Sequence, residues 1–132
     1  AVAHLTRTGV FSCSRCRGLF MPRSPARFDF ASFADAKESW SRKTFGGGDR
    51  YAGVVAHIRK ELLEIEANPR DVTEWVDVIL LAMDGAWRSA GVDGEQLVAA
   101  MVAKQSQNVA RKWKDWRTLG DGEVSEHVKD EP

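Results

Sequence analysis

Two pairs of carboxylates punctuate this chain, Glu61-Leu-Leu-Glu64 and Glu74-Trp-Val-Asp77, each with its acids three residues apart. On a helix that spacing puts both acids of a pair on one face. Hard divalent cations such as Mg²⁺ or Mn²⁺ take oxygen ligands and keep open positions for water, so four converging carboxylates form a site suited to phosphate chemistry. Complementary donors follow downstream: Lys104, Asn108 and Arg111 lie at i, i+4, i+7, with Lys112 beside them. A triphosphate held through metals to four acids needs cations and amide donors on its far side. Taken singly, these residues also have plainer roles. Glu61 and Glu64 fit solvated surface acids, Glu74 a helix cap, Asp77 or Asp84 a partner for Arg88, and the Lys/Arg stripe the favourable charge at a helix C-terminus. What favours the chemical reading is that both acid pairs sit on consecutive helices, one of them strongly apolar.

Those helices are legible from punctuation and periodicity. Phe30, Phe33, Ala34, Lys37 and Trp40 follow a 3–4 spacing, with Asp29 or Ser32 as N-cap, which predicts a short helix over about 30–42, ended by Gly46-Gly47-Gly48. A second helix runs from Tyr51 to Ala67 and stops at Asn68-Pro69. The third starts after Asp71, where Asp71 and Glu74 make a D-x-x-E capping box, and continues to Gly91. The fourth runs from Asp93, with Gln96 at N3, to about Lys112. On the second helix Val54, Ile58, Leu62 and Ile65 form an apolar stripe bordered by His57, Glu61 and Glu64. On the third, apolar residues from Val72 to Trp87 cover most of the circumference, so it is expected to be buried on most sides, with Glu74, Asp77, Asp84 and Arg88 on the remaining face. Acids turned inward need a cationic partner. No strand pattern competes, and the expectation is an all-α bundle of about four to five helices.

Composition bounds the rest. The chain has 132 residues, 43% hydrophobic and 29% charged, the balance of one globular domain. The charge is formally zero, but residues 1–27 carry five Arg and no acid, leaving 14 basic against 19 acidic side chains beyond, a net of −5. No global field draws the chain to nucleic acid or membrane, and the longest apolar run, Val78 to Met83, falls far short of the ~20 residues a bilayer requires. Two cysteines, Cys13 and Cys16, cannot staple a domain of this size, which suits a reducing cytoplasm. Their C-x-x-C spacing is half a zinc site, with only His4, His57 and His127 to complete it. The division expected is a basic, peripheral extension over 1–27, a helical domain over 28–119, and an acidic tail over 120–132.

Thr44-Phe45-Gly46, Arg50, Gly53, His57 through Glu66, Glu74-Trp-Val-Asp77, Asp84-Gly-Ala-Trp87-Arg88 and the stretch Lys104 to Trp116 resemble the MazG-like branch of the all-α nucleoside triphosphate pyrophosphatases, over about residues 40–117. Within that branch the likeness is to the phage dATP/dGTP pyrophosphohydrolases, including the MazZ type that trims dGTP to dGMP for 2-aminoadenine DNA. The resemblance implies a metal-bound triphosphate, water attack at the α-phosphorus, and release of a monophosphate plus pyrophosphate. It implies Mg²⁺ or Mn²⁺ on Glu61, Glu64, Glu74 and Asp77, with Glu61 or Glu64 accepting the water's proton, and substrate contacts from Lys104, Asn108 and Arg111, beside which Lys112 is a further candidate from its position. It also implies a homo-oligomer, dimer or tetramer. One departure is the nine-residue separation of Glu64 from Glu74, at or below the usual gap, which means a tight turn.

His57, one turn before Glu61, reads first as a satisfied histidine and second as a residue that orients a ligand or touches substrate. Trp40, Phe45 and Trp75 are candidates to stack on a base, although aromatics at helical spacing more often fill a core. Two other classes compete for these residues. A di-iron bundle needs E-x-x-H pairs, which are absent here. A non-catalytic helical interaction module or nucleic-acid adaptor would use the Arg-rich start but leaves the inward acids unexplained.

Overall fold

The computed structural model describes residues 28–129, together with the backbone of residues 4–5 and 11–12. Cys13 and Cys16, and with them the half zinc site, lie outside the described residues. His4–Leu5 (β1) and Phe11–Ser12 (β2) pair as a two-residue antiparallel ladder, a local feature that the sequence reading did not anticipate. The remaining elements are helical: α1 (Phe30–Phe45), α2 (Tyr51–Ala67), α3 (Val72–Gly85), a π-helical turn (Ala86–Ala90), α4 (Gly94–Ala110) and a 3₁₀ turn (Trp116–Thr118). The chain divides into two compact units, 1–97 and 98–132.

In the first unit α1 begins where the Asp29 carboxylate accepts hydrogen bonds from Ser32 N (3.1 Å) and Ser32 Oγ (2.9 Å). It runs three residues past the expected end because the chain turns only at Gly46, whose φ of 79° suits glycine. Helix α2 has the bounds expected, 51–67, and the short connection returns the chain along it, so α2 and α3 run antiparallel in the most extensive helix pairing of the fold. Asp71 caps α3 through Thr73 N (3.0 Å) and Thr73 Oγ1 (2.7 Å). The Asp71–Glu74 capping box does not close. Asp71 N bonds to Asn68 O instead (3.1 Å), and the Glu74 carboxylate lies beside those of Glu61 and Glu64. By contrast the Asp93–Gln96 box forms in full, with Gln96 N on Asp93 Oδ1 (2.8 Å) and Asp93 N on Gln96 Oε1 (3.0 Å). Gly94 then donates its N–H to Asp35 Oδ1 (2.7 Å), and a Cβ there would stand 2.1 Å from Ala31 O, so only glycine lets this turn meet α1.

Among the described residues the buried apolar core is small: Ala34, Ile65, Met83 and Trp87. It encloses a buried ion pair, Lys37 Nζ to Asp84 Oδ1 at 2.7 Å. Asp84 also accepts from Trp87 Nε1 (3.0 Å) and Ser41 Oγ (3.3 Å). Asp84 therefore pairs with Lys37, not with Arg88 as the plainer reading of the sequence had it. Arg88 donates instead to the carbonyls of Gly46 (3.0 Å) and Gly48 (3.2 Å), tying the α1–α2 loop to the π-helical turn. The Arg42 and Arg88 guanidiniums each lie over the Trp87 ring, 4.4 and 4.1 Å from its centroid.

Two expectations about burial are corrected. Leu62, assigned to the α2 core stripe, is exposed, while Glu61 beside it is 5% exposed. On α3, Val72 (69% exposed), Trp75, Val76 and Ile79 (53%) face away from the chain's own core. Their spacing of three and four residues makes one continuous apolar face. A hydrophobic stripe reports that a face is to be covered, not by which chain.

In the second unit α4 ends at Ala110, two residues before the expected Lys112, as Arg111 N turns to the Gln107 and Asn108 carbonyls. Residues beyond Gly120 are mostly exposed, yet Val128 N bonds to Lys112 O (2.8 Å) and Trp113 and His127 form an isolated bridge. No helix among the described residues is long and apolar enough to cross a membrane.

Candidate metal and nucleotide site

The α2–α3 hairpin gathers acids on one side. One carboxylate oxygen each from Glu61, Glu64 and Glu74 lie within 4.8 Å of one another. Oxygens bound to one hard cation at about 2.0–2.6 Å sit up to roughly 4–5 Å apart, so the three fit a single divalent ion. Glu61 is buried, Glu64 and Glu74 are half-buried. Asp77 lies outside this trio and is more exposed, but its carboxyl is close enough to feel Glu61 and Glu64. The structure thus brings three of the four sequence-predicted ligands together and leaves the fourth one helical turn along.

The electrostatics are those of crowded anions. Partial removal from water raises Glu74 above the usual carboxylate range, and the charges of Glu64, Asp71, Asp77 and Glu61 push the same way. Asp77 is raised by desolvation and then by Glu61, with His57 opposing. Glu64 moves the other way, lowered first by the hydrogen bond from Lys60 and its charge, and further by one from the Glu74 carboxyl. Lys60 was not singled out from the sequence. It sits four residues before Glu64, with Nζ 2.9 Å from Glu64 Oε1 and 3.9 Å from Glu61 Oε1, and Glu64 raises its pKa in return. The i, i+4 Lys-to-Glu spacing is the signal that would have found it. The Lys60 ammonium, within reach of both Glu64 and Glu61, offsets these acids in part.

His57 places Nε2 2.8 Å from Glu61 Oε1 while its outer edge stays in solvent. Both roles considered for it, a satisfied histidine and an orienting one, are consistent with that geometry. Beside it opens a cavity of about 250 Å³ between the start of α2 and the end of α3, walled in part by Phe45, Arg50 and Arg88. Trp40 is half exposed and packs edge-on against Phe45, ring centroids 5.5 Å apart, but does not line this cavity. Trp75 is half exposed and donates Nε1 to Pro69 O (3.0 Å), so it braces the α2–α3 turn. The second unit holds Lys104, which donates to Gln107 Oε1 (3.4 Å), and Arg111, which donates to Asn108 Oδ1 (3.3 Å); Lys112 is exposed.

Comparison with known proteins converges on one group. The chain is similar to the Eaa protein of Salmonella phage P22, 39% identical over 93 residues, which are 70% of this chain and 28% of that protein. It thus spans little more than a quarter of that relative. Its fold is similar to a cyanophage S-2L MazG-like pyrophosphohydrolase solved with dGDP and three catalytic Mn²⁺ ions per active site. The TM-score is 0.60 at 27% identity, covering 78% of this chain and all of that one. The profile of the dATP/dGTP pyrophosphohydrolase family matches residues 33–132, and the chain, with its all-helical body and acid-bearing α2–α3 hairpin, belongs to that family.

Proposed function

We propose that this chain is a metal-dependent pyrophosphohydrolase that cleaves a deoxypurine nucleoside triphosphate, dGTP foremost, between the α- and β-phosphorus. Water and dGTP give dGMP and pyrophosphate, and the dGMP would feed 2-aminoadenine nucleotide synthesis in the cytoplasm of an infected host. The observation that carries the reading is the convergence of Glu61, Glu64 and Glu74 within 4.8 Å, with Asp77 alongside. Raised acids beside a buried one are a strained set of charges that a hard cation relieves. Family membership and the dGDP- and Mn²⁺-bound relative support the substrate class and the metal.

In this reading Glu61, Glu64, Glu74 and Asp77 hold Mg²⁺ or Mn²⁺. Bound there, such ions supply charge neutralisation of the phosphate oxygens and a lower pKa for a coordinated water. The chain's own groups do the rest. His57 fixes the Glu61 carboxylate through its 2.8 Å contact. Glu61 or Glu64 accepts the proton of the attacking water. Lys104 and Arg111 are assigned to the charge that develops on the leaving pyrophosphate, with Asn108, Lys112 and Trp40 as further substrate contacts. The exposed apolar face of α3 supports a homo-oligomer, dimer or tetramer, because monomers rarely leave such a stripe in water.

The test is product identity. With each dNTP and Mg²⁺ or Mn²⁺, separation by ion exchange is expected to give equimolar dNMP and pyrophosphate, fastest for dGTP, and ¹⁸O from labelled water is expected in dGMP. Orthophosphate as the sole inorganic product, or no turnover, overturns the reading.

A further inference from the structure

The first turn of α2 carries a glycine that its own surroundings do not require. Gly53 lies inside a regular helix, where glycine is a poor former, and a Cβ built on it would meet no heavy atom within 4 Å. It has neither the left-handed φ of Gly46 nor the tight neighbour of Gly94. What it does border is the cavity of about 250 Å³ shared with Phe45, Arg50, His57, Asp84 and Arg88. That volume is below the usual range for a whole small-molecule ligand and suits one planar portion of a nucleotide. Because His57 both lines it and bonds to Glu61, the cavity opens directly beside the carboxylate cluster.

Its polar lining is one-sided. Asp84 already accepts bonds from Lys37, Trp87 and Ser41. Arg88 is bound to the Gly46 and Gly48 carbonyls and to Ser41 Oγ (3.2 Å). Arg50 spends one N–H on the Phe45 carbonyl (2.5 Å), which anchors its guanidinium in the cavity lining with further N–H groups to offer. Of these groups Arg50 has uncommitted donors to present to an incoming group. A guanidinium fork matches adjacent acceptors such as O6 and N7 of guanine, whereas adenine puts an amino donor at position 6. The Phe45 ring supplies an apolar surface at the same wall.

We propose that this cavity seats the purine base, that Gly53 is kept side-chain-free to admit it, and that Arg50 selects 6-oxopurines over adenine. The inference rests on the function proposed above and names the residues that set its base preference.

The test measures equilibrium binding of the non-hydrolysable α,β-imido analogues of dGTP, dITP and dATP with Mg²⁺, together with kcat/KM for the natural nucleotides. Wild-type protein, Gly53→Leu and Arg50→Met are compared, with melting temperature and Mn²⁺ affinity as controls. Gly53→Leu is expected to melt no lower than wild type, hold Mn²⁺ normally, and weaken the dGTP analogue at least tenfold. Wild type is expected to favour dGTP and dITP analogues over dATP by about 5- to 150-fold, the range for one bidentate base contact, and Arg50→Met to bring that ratio near unity. Wild-type affinity in Gly53→Leu, or an equal loss for guanine and adenine in Arg50→Met, overturns the proposal; the latter assigns the guanidinium to phosphate. Tight analogue binding without cleavage of any dNTP removes the catalytic reading alone, and the same variants still decide the base seat.

Discussion

Asp84→Asn is the substitution whose cost the structure defines best. Lys37 and Asp84 side chains are 9% and 12% exposed, and their 2.7 Å contact is the charge pair of the small core. The asparagine keeps the shape and an oxygen for Trp87, but leaves the Lys37 ammonium buried without a counter-charge. Breaking such a pair from one side costs about 3–5 kcal/mol, a large share of the 5–15 kcal/mol that holds a typical domain. Replacing both, as Lys37→Met with Asp84→Leu, removes the orphaned charge. What remains is the lost acceptor for Trp87 Nε1 and Ser41 Oγ, about 1–3 kcal/mol for a buried donor. Urea denaturation followed by tryptophan emission, at one protein concentration, is expected to show the double variant more stable than Asp84→Asn. With Lys37→Met and Asp84→Leu measured singly to close the cycle, the non-additivity should reach about 2 kcal/mol or more. A loss below about 1 kcal/mol for Asp84→Asn would refute the argument that the buried Lys37 ammonium depends on the Asp84 charge.

Other expectations follow from particular contacts. Glu74 and Asp77 have raised pKa values when folded, so the metal-free folded state binds more protons than the unfolded chain. Its stability therefore falls as pH rises from the ordinary carboxylate range, near 4, through the raised values. Glu64, lowered by Lys60, contributes stability that is complete above its ordinary range and lost only as pH falls through the folded value. Mn²⁺ should consequently raise the melting temperature more at pH 8 than at pH 5; equal shifts would count against the crowded-anion account. Val76→Glu with Ile79→Glu, on the exposed face of α3, should reduce the mass measured by light scattering to that of one chain, and an unchanged mass would exclude this face from the assembly. Gly94→Ala should lower stability by about 1–3 kcal/mol, read by thermal melting, because the new methyl meets the Ala31 carbonyl; a neutral result would contradict the close approach of α1.

Much of this was legible in residue order, for identifiable reasons. The bounds of α2 follow from Gly-rich residues before it and Asn68-Pro69 after it, and the Asp93–Gln96 cap formed as its spacing predicts. Local chemistry of that kind is written within a few residues. The Asp71–Glu74 box fails because a competing partner, the Asn68 carbonyl, satisfies Asp71 N and Glu74 joins the acids across the hairpin. Lys37 and Asp84 are 47 residues apart, and no periodicity links them. The π-helical turn likewise has no marker in residue type, although it sets where Trp87 and Arg88 stand. At the site, the i, i+3 pattern located Glu61, Glu64 and Glu74. It did not distinguish Asp77, one turn beyond them, and it did not include Lys60, whose charge acts on two of the acids.

The claim on which the rest depends is that acids from α2 and α3 jointly bind a divalent cation. Mn²⁺ titration followed by electron paramagnetic resonance tests it without reference to substrate. Comparing wild type with Glu61→Gln, Glu74→Gln and the surface control Glu95→Gln, the account predicts saturable Mn²⁺ binding weakened at least tenfold by either of the first two and unaffected by the third. Binding equally tight in all four proteins would contradict it.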